Sequence, residues 1–145
     1  MNFKSKHNIY VRAILAWILF IPIVFMNAAF RELVYKPFTG ELLAHQVSTI
    51  TGSVAFFLLA YFLLRHYMYN TPNDKLLFIG FMWVVLTIVF EFGLGIFVTG
   101  ASWNKMLNDY NIGQGRIWIF FLVIILITPF VIKYFVSAKN KRLAA

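Results

Sequence analysis

Long apolar blocks alternate with short polar ones along the whole chain. Four stretches, residues 10–30, 42–64, 76–98 and 117–135, each come close to the roughly 20 apolar residues that a helix needs to cross a bilayer. Lipid offers no partner to an unpaired backbone N–H or C=O, so segments of this kind are predicted to be helices. Pro22 and Pro129 fall inside the first and last of them and are expected to kink them. The first block follows Lys4, Lys6 and Arg12, as the core of a signal peptide would. Its apolar run is longer than such a core, which predicts a retained helix. The pattern as a whole predicts an all-α integral membrane four-helix bundle, with residues 1–145 forming one transmembrane domain.

The connections are short. Lys36-Pro37-Phe38-Thr39-Gly40 is a turn signal, and Asn70-Thr71-Pro72-Asn73-Asp74 is another. The third connection has a pattern of its own. Ser102 is a candidate N-cap, after which Trp103, Met106, Leu107 and Tyr110 recur at helical spacing. Asn104, Lys105, Asn108 and Asp109 fill the opposite face. This predicts a short amphipathic surface helix over residues 102–110, between the third and fourth spans and covering the outer mouth of the bundle. No internal repeat or low-complexity tract is visible.

Composition agrees with the pattern. The chain is 61% hydrophobic and 12% charged, against about 45–50% and about 25% in soluble domains. So few charges could not cover a water-facing surface of this size. There is no cysteine, which excludes disulfides, thiolate metal sites and thiol redox chemistry. The net charge of +8 is unevenly placed. The side of the termini and the middle connection carries nine basic residues, Lys4, Lys6, Arg12, Arg65, Lys75, Lys133, Lys139, Lys141 and Arg142, against Asp74 alone. The other side balances Arg31, Lys36, Lys105 and Arg116 against Glu32, Glu41, Glu91 and Asp109. Basic flanks stay in the cytoplasm, so the split predicts a multi-pass protein of the cell inner (plasma) membrane with both termini cytoplasmic. It also accounts for the positive charge without nucleic acid, which is not expected as a partner.

The balanced outer side holds the candidate chemistry. Glu91 lies seven residues before Val98, about 10 Å inside the helix end at about 1.5 Å per residue. A charge at the bilayer centre costs at least about 2.5–3.5 kcal/mol, so Glu91 is expected to face the bundle and meet a basic or polar side chain. Arg31, Arg116 and His45 are the candidates, with Arg116 favoured. Gly93 and Gly95 leave room beside it for a close helix contact or a ligand. His45, Thr49 and Gly52 share a face of the second helix, with Ser48 beside them. The predicted ligand-binding set is Glu91, Arg31, Arg116, His45, Asp109, Asn27, Glu32, Gln46 and Tyr110. The bland alternatives are a Glu–Arg clamp between helices, an ordinary polar helix end at residues 27–32, and an interfacial aromatic belt of Trp103, Tyr110 and Trp118. No metalloprotease, serine-hydrolase or phosphate-loop signature occurs. His45 has no second histidine at ligand spacing. No metal or cofactor is therefore predicted, and any catalytic residue is unknown.

Asn27, Arg31-Glu32, His45-Gln46-Val47-Ser48, Phe90-Glu91-Phe92-Gly93, Ser102-Trp103, Asp109-Tyr110 and Gly115-Arg116-Ile117-Trp118 occur in that order. Together they resemble a group of small bacterial four-helix integral membrane proteins of unassigned function. The resemblance implies the fold and adds weight to the outer residues, but it implies no activity. The embedded glutamate is also similar to that of small multidrug transporters, which carry it in the first helix rather than the third. The leading expectation is a non-enzymatic membrane protein whose outer pocket binds a lipid head group, a small polar ligand or a partner membrane subunit. A proton- or ion-coupled transporter working as a homo-oligomer, with Glu91 titrating, is one alternative. The other is a membrane enzyme on a lipid-like substrate, with Glu91 or Asp109 as acid or base and Arg31 or Arg116 holding an anionic group.

Overall fold

A computed structural model describes residues 9–143 of the chain, and among them every regular element is helical. Helix α1 spans Ile9–Phe30 and runs into a π turn, Arg31–Tyr35. Helix α2 spans Lys36–Met68, and α3 spans Asn73–Gly93, followed by a second π turn, Leu94–Val98. Helix α4 is the short Trp103–Asn108, a 3₁₀ turn covers Ile112–Gln114, and α5 spans Trp118–Leu143. Three stretches are long and apolar enough to cross a membrane: Ile9–Met68, Asn73–Val98 and Trp118–Arg142. Lys4 and Lys6 lie outside the described residues.

The first of these stretches is 60 residues long and doubles back. The chain leaves helical geometry at Gly40, whose φ of 79° and ψ of 172° suit a residue without a side chain. The segments on either side pack antiparallel. The Phe20 ring stands edge-on to Phe56 at 5.0 Å, and Asn27 Nδ2 donates to the Ser48 carbonyl at 2.7 Å. Nearer the first residues, the Arg12 guanidinium lies 4.0 Å over the Tyr67 ring.

Several boundaries differ from those read off the sequence. Helical geometry carries on from α1 and its π turn through residues 36–39 and breaks at Gly40, so the second arm of the hairpin starts just after Gly40, close to the predicted 42. The five-residue turn signal therefore narrows to Gly40. Helix α5 continues to Leu143 rather than stopping near 135, with Lys141 and Arg142 in its last turn, where cations oppose the helix dipole. The amphipathic helix is Trp103–Asn108 rather than 102–110, and the Ser102 hydroxyl caps it by accepting from the Lys105 N–H at 3.3 Å. Pro22 and Pro129 sit inside helices that neither interrupts.

The densest packing lies in the half of the molecule that holds Ala13, Phe56, Trp83 and Ile125, all essentially buried. The Trp83 indole N–H reaches across to the Ala13 carbonyl at 2.9 Å, which ties α3 to α1, and its ring meets Phe56 edge-on at 5.1 Å. A Cβ on Gly80 would collide with the Leu126 backbone, so α3 and α5 cross there almost backbone to backbone. Lys133 closes that end, donating to the Thr71 carbonyl at 2.9 Å and to Asn73 Oδ1 at 3.0 Å in the α2–α3 connection. Large apolar side chains such as Phe62, Phe81 and Val89 remain exposed around the perimeter. The opposite end, where residues 27–49 meet residues 91–118, is looser and polar.

Candidate functional site: two adjacent cavities at the polar end

Two wide turns shape the polar end. In each, a backbone N–H reaches five residues back, Lys36 to the Arg31 carbonyl and Thr99 to the Leu94 carbonyl at 3.1 Å. Such π turns are rare in helices and recur at functional sites. One begins at Arg31 and the other starts three residues after Glu91, so both border the region that the sequence marks as polar.

Glu91 faces protein, and two neutral donors hold it. The Tyr110 hydroxyl donates to its Oε2 at 2.6 Å, and the Trp118 indole N–H donates to the same oxygen at 2.8 Å. The favoured partner, Arg116, lies elsewhere. It bonds Asp109 at 3.0 Å and Glu41 at 3.5 Å. Arg31 pairs through Nε with Glu32 at 3.2 Å, and Glu32 also takes Lys36 at 2.9 Å. The reason is a matter of depth. Arg116 precedes the first residue of α5 and sits at the polar mouth, where its acids lie beside it. Burying it at the level of Glu91 would desolvate a second charge. An indole and a phenol supply hydrogen bonds there without that cost, each about 1.5–3 kcal/mol when the acceptor is charged. Burial and the bond to Glu91 together raise the Tyr110 hydroxyl well above its ordinary pKa, so it stays a donor across the physiological range.

A cavity of about 270 Å³ opens beside Glu91. Trp17, Ile21, Val24 and Ala28 of α1 line one side and Thr87, Phe90 and Glu91 of α3 another, with Leu94 of the π turn beside them and Trp118 and Phe121 of α5 completing the lining. Its floor is sealed where the Trp17 indole donates to Thr87 Oγ1 at 3.1 Å. Over their whole length α1 and α3 approach each other only sparsely, and above that bond Phe25 of α1 stands edge-on to Phe90 at 6.2 Å. A second cavity of about 370 Å³ lies toward the mouth, lined by Arg31, Glu32, Lys36, Glu41, His45, Lys105, Asn108, Asp109 and Arg116. Three residues, Arg31, His45 and Asp109, line both. The result is a mostly apolar chamber beneath a charged vestibule.

The sequence-derived set divides between these spaces. Glu91 and Asn27 line the inner chamber, Glu32 and Arg116 line the vestibule, and Arg31, His45 and Asp109 line both. Gln46 and Tyr110 line neither. Gln46 Nε2 donates to the Gly115 carbonyl at 2.8 Å and fixes the loop before α5, where Gly115 adopts φ 78°. The hydroxyls of Ser48 and Thr49 bond back to the His45 carbonyl, at 3.0 and 2.8 Å, and Thr51 bonds Asn27 Oδ1 at 2.8 Å. Asn27 thus ties α1 to α2, while the Ser48 and Thr49 hydroxyls bond within α2; all three residues line the inner cavity. His45 is different: it is buried, and its Nε2 has no hydrogen-bond partner among the described residues.

Gly95 accommodates Met106, whose side chain would collide with any Cβ there, so α4 docks over the end of α3. Of the predicted apolar face, Met106 is buried and Tyr110 half-buried, while Trp103 and Leu107 stay exposed. The lid therefore rests on one methionine and the Trp103–Phe92 ring contact at 5.5 Å. Gly93 borders open space instead of a helix contact. Sequence reasoning missed Trp17 and Thr87 as lining residues and treated Trp118 as an interfacial aromatic. An indole N–H seven or more residues inside an apolar stretch is the available signal, since it must find an acceptor there. Among the described residues no group of three or more His, Asp or Glu side chains gathers to hold a metal ion. Comparison with protein-family models, with curated proteins and with solved structures returns no match for this chain.

Proposed function

We propose that this is a multi-pass membrane protein that binds a lipid-like or small polar ligand in the adjacent cavities, without chemistry of its own. In this reading Ile9–Met68 supplies two crossings, the bundle has four, and the termini lie in the cytoplasm with the basic flanks. The observation that carries the reading is that an apolar cavity beside Glu91 adjoins a charged one, with Arg31, His45 and Asp109 lining both. A cavity that only relieved poor packing would have no reason to lie against a charged mouth. Concave sites with apolar walls and a few convergent polar groups are where small ligands bind.

Because the chain has no cysteine, single cysteines report cleanly. An impermeant thiol reagent on intact cells should label Asn104→Cys and leave Asn70→Cys unmodified; the reverse pattern would put the site in the cytoplasm. In purified protein, Ala28→Cys should react with a small water-soluble reagent through the vestibule, and native mass spectrometry should show a retained adduct that Ala28→Trp loses. An unreactive Ala28→Cys variant together with no adduct would end the binding reading. One observation favours the coupled transporter instead: no cation reaches Glu91 among the described residues. For a transporter, Glu91→Gln should abolish proton-coupled uptake in vesicles; as a binding protein, the chain should give no uptake with either residue.

A further inference from the structure

Resting on the binding reading above, we infer that the ligand is an amphiphile with a compact anionic head group. The head sits in the vestibule against Arg31 and His45, and the chain descends between α1 and α3 into the inner chamber. The sign of the head follows from which groups are already in use. The vestibule's basic residues outnumber its acidic ones, four to three. Arg116 is occupied by Asp109 and Glu41, and Lys36 by Glu32. Arg31 uses only Nε, toward Glu32, which leaves its two terminal amino groups free among the described residues. Lys105 forms no ion pair among the described residues and lines the same space. The unused groups are therefore mainly cationic donors, arranged as an anionic oxygen-rich head would need them.

A second observation points to the same place. His45 is 6% exposed, and its Nε2 is sealed from the surface without a partner among the described residues. A buried polar atom left unpaired costs about 1–3 kcal/mol, and it lies in the residue that walls both chambers. Relieving that cost requires the ring to turn Nε2 into the cavity, where a head-group oxygen would accept from it. Glu91 lines the inner chamber and not the vestibule, so its carboxylate lies away from the head's position against Arg31 and Lys105. The chain's place is set by the lining: Val24, Ala28, Phe90 and Leu94 offer apolar surface where α1 and α3 touch sparsely. A free anion would fill the vestibule and leave that chamber empty.

The test uses dodecyl phosphate as the probe, added to the full chain in dodecyl maltoside micelles, with binding read by thermal shift and calorimetry. Inorganic phosphate and dodecyltrimethylammonium are the comparison ligands. Dodecyl phosphate should raise Tm, and both comparison ligands should leave it unchanged. Arg31→Gln and His45→Leu should each weaken dodecyl phosphate binding at least tenfold, and Ala28→Phe should do so by filling the chain's path. Lys139→Gln, a charge loss in the tail, should have no effect and so reports simple attraction to a charged micelle. His45→Gln gives a second variant should His45→Leu fail to fold. Equal stabilisation by inorganic phosphate would overturn the amphiphile. Preference for dodecyltrimethylammonium would overturn the sign of the head while leaving the binding site itself in place. Binding unchanged in the Arg31 and His45 variants would place the ligand elsewhere and overturn the proposal. An unreactive Ala28→Cys variant with no retained adduct would remove the underlying reading as well.

Discussion

The two ends of this molecule are built from the same helices on opposite principles. Toward the termini, Trp83, Phe56 and Gly80 leave no space, and the polar groups there are few and bonded across elements, as with Trp83 to Ala13 and Lys133 to Thr71. At the other end the helices widen into π turns, two cavities separate them, and charged side chains such as Arg31, Glu32, Lys36 and Arg116 gather in ion pairs around the open space. Close packing contributes stability most efficiently where it is dry and complete. Empty volume and an unpartnered His45 do the opposite, and proteins keep such features where function needs them. The comparison teaches that one half can hold the fold while the other is left free to bind.

Substitutions should separate the halves, and the largest effect belongs to the closed one. Trp83→Ala removes a fully buried indole together with its bond to the Ala13 carbonyl, which should cost about 3–5 kcal/mol. Thermal unfolding in detergent should show the lowest Tm of any single change considered. Gly80→Val follows, since its side chain must push α3 from the Leu126 backbone; overpacking of this kind costs about 1–3 kcal/mol or more. A loss below about half a kcal/mol for either would contradict the close crossing.

The open half should respond less, and selectively. Glu91→Leu strips the acceptor from both Tyr110 and Trp118, each stranded donor costing about 1–3 kcal/mol where water cannot reach it. Glu91→Gln keeps an oxygen for both donors and should lose well under half as much. Equal losses would mean that the carboxylate charge, rather than its geometry, holds the outer ends together. Smallest of all is His45→Leu. It removes an unsatisfied polar atom and should leave the unfolding free energy within about half a kcal/mol of the parent or raise it. A large drop would mean that His45 is structural and would erase the contrast between the halves.

Much of the helical framework was legible from the chain, because lipid-compatible length and turn residues are local signals. The apolar blocks became helices, and Gly40 became the reversal that its turn signal suggested. Ser102 caps α4 because a short hydroxyl side chain competes for the first free N–H wherever it falls. The partners of Glu91 were not legible. Which donor reaches it depends on how the loop over 99–117 brings Tyr110 and Trp118 down to its level, and the spacing of charges says nothing about that depth. Charge counting instead singled out Arg116, whose acids turned out to be Asp109 and Glu41. Gly80 was equally hidden, since one glycine in an apolar run does not announce which neighbour approaches it.

The π turn at Leu94–Val98 sets the direction in which the chain leaves the end of α3. A helix advances about 100° per residue, and a five-residue turn holds one residue more than regular α geometry does. Deleting a single residue between 94 and 98 would let the turn relax to an ordinary helix and swing the chain after it by about that angle. Met106 would then leave the notch at Gly95, and the Ala101 N–H would lose the Gly95 carbonyl it now reaches at 2.8 Å. The long helices would be left in place. One residue of slack thus decides whether α4 faces the chamber or points away from it.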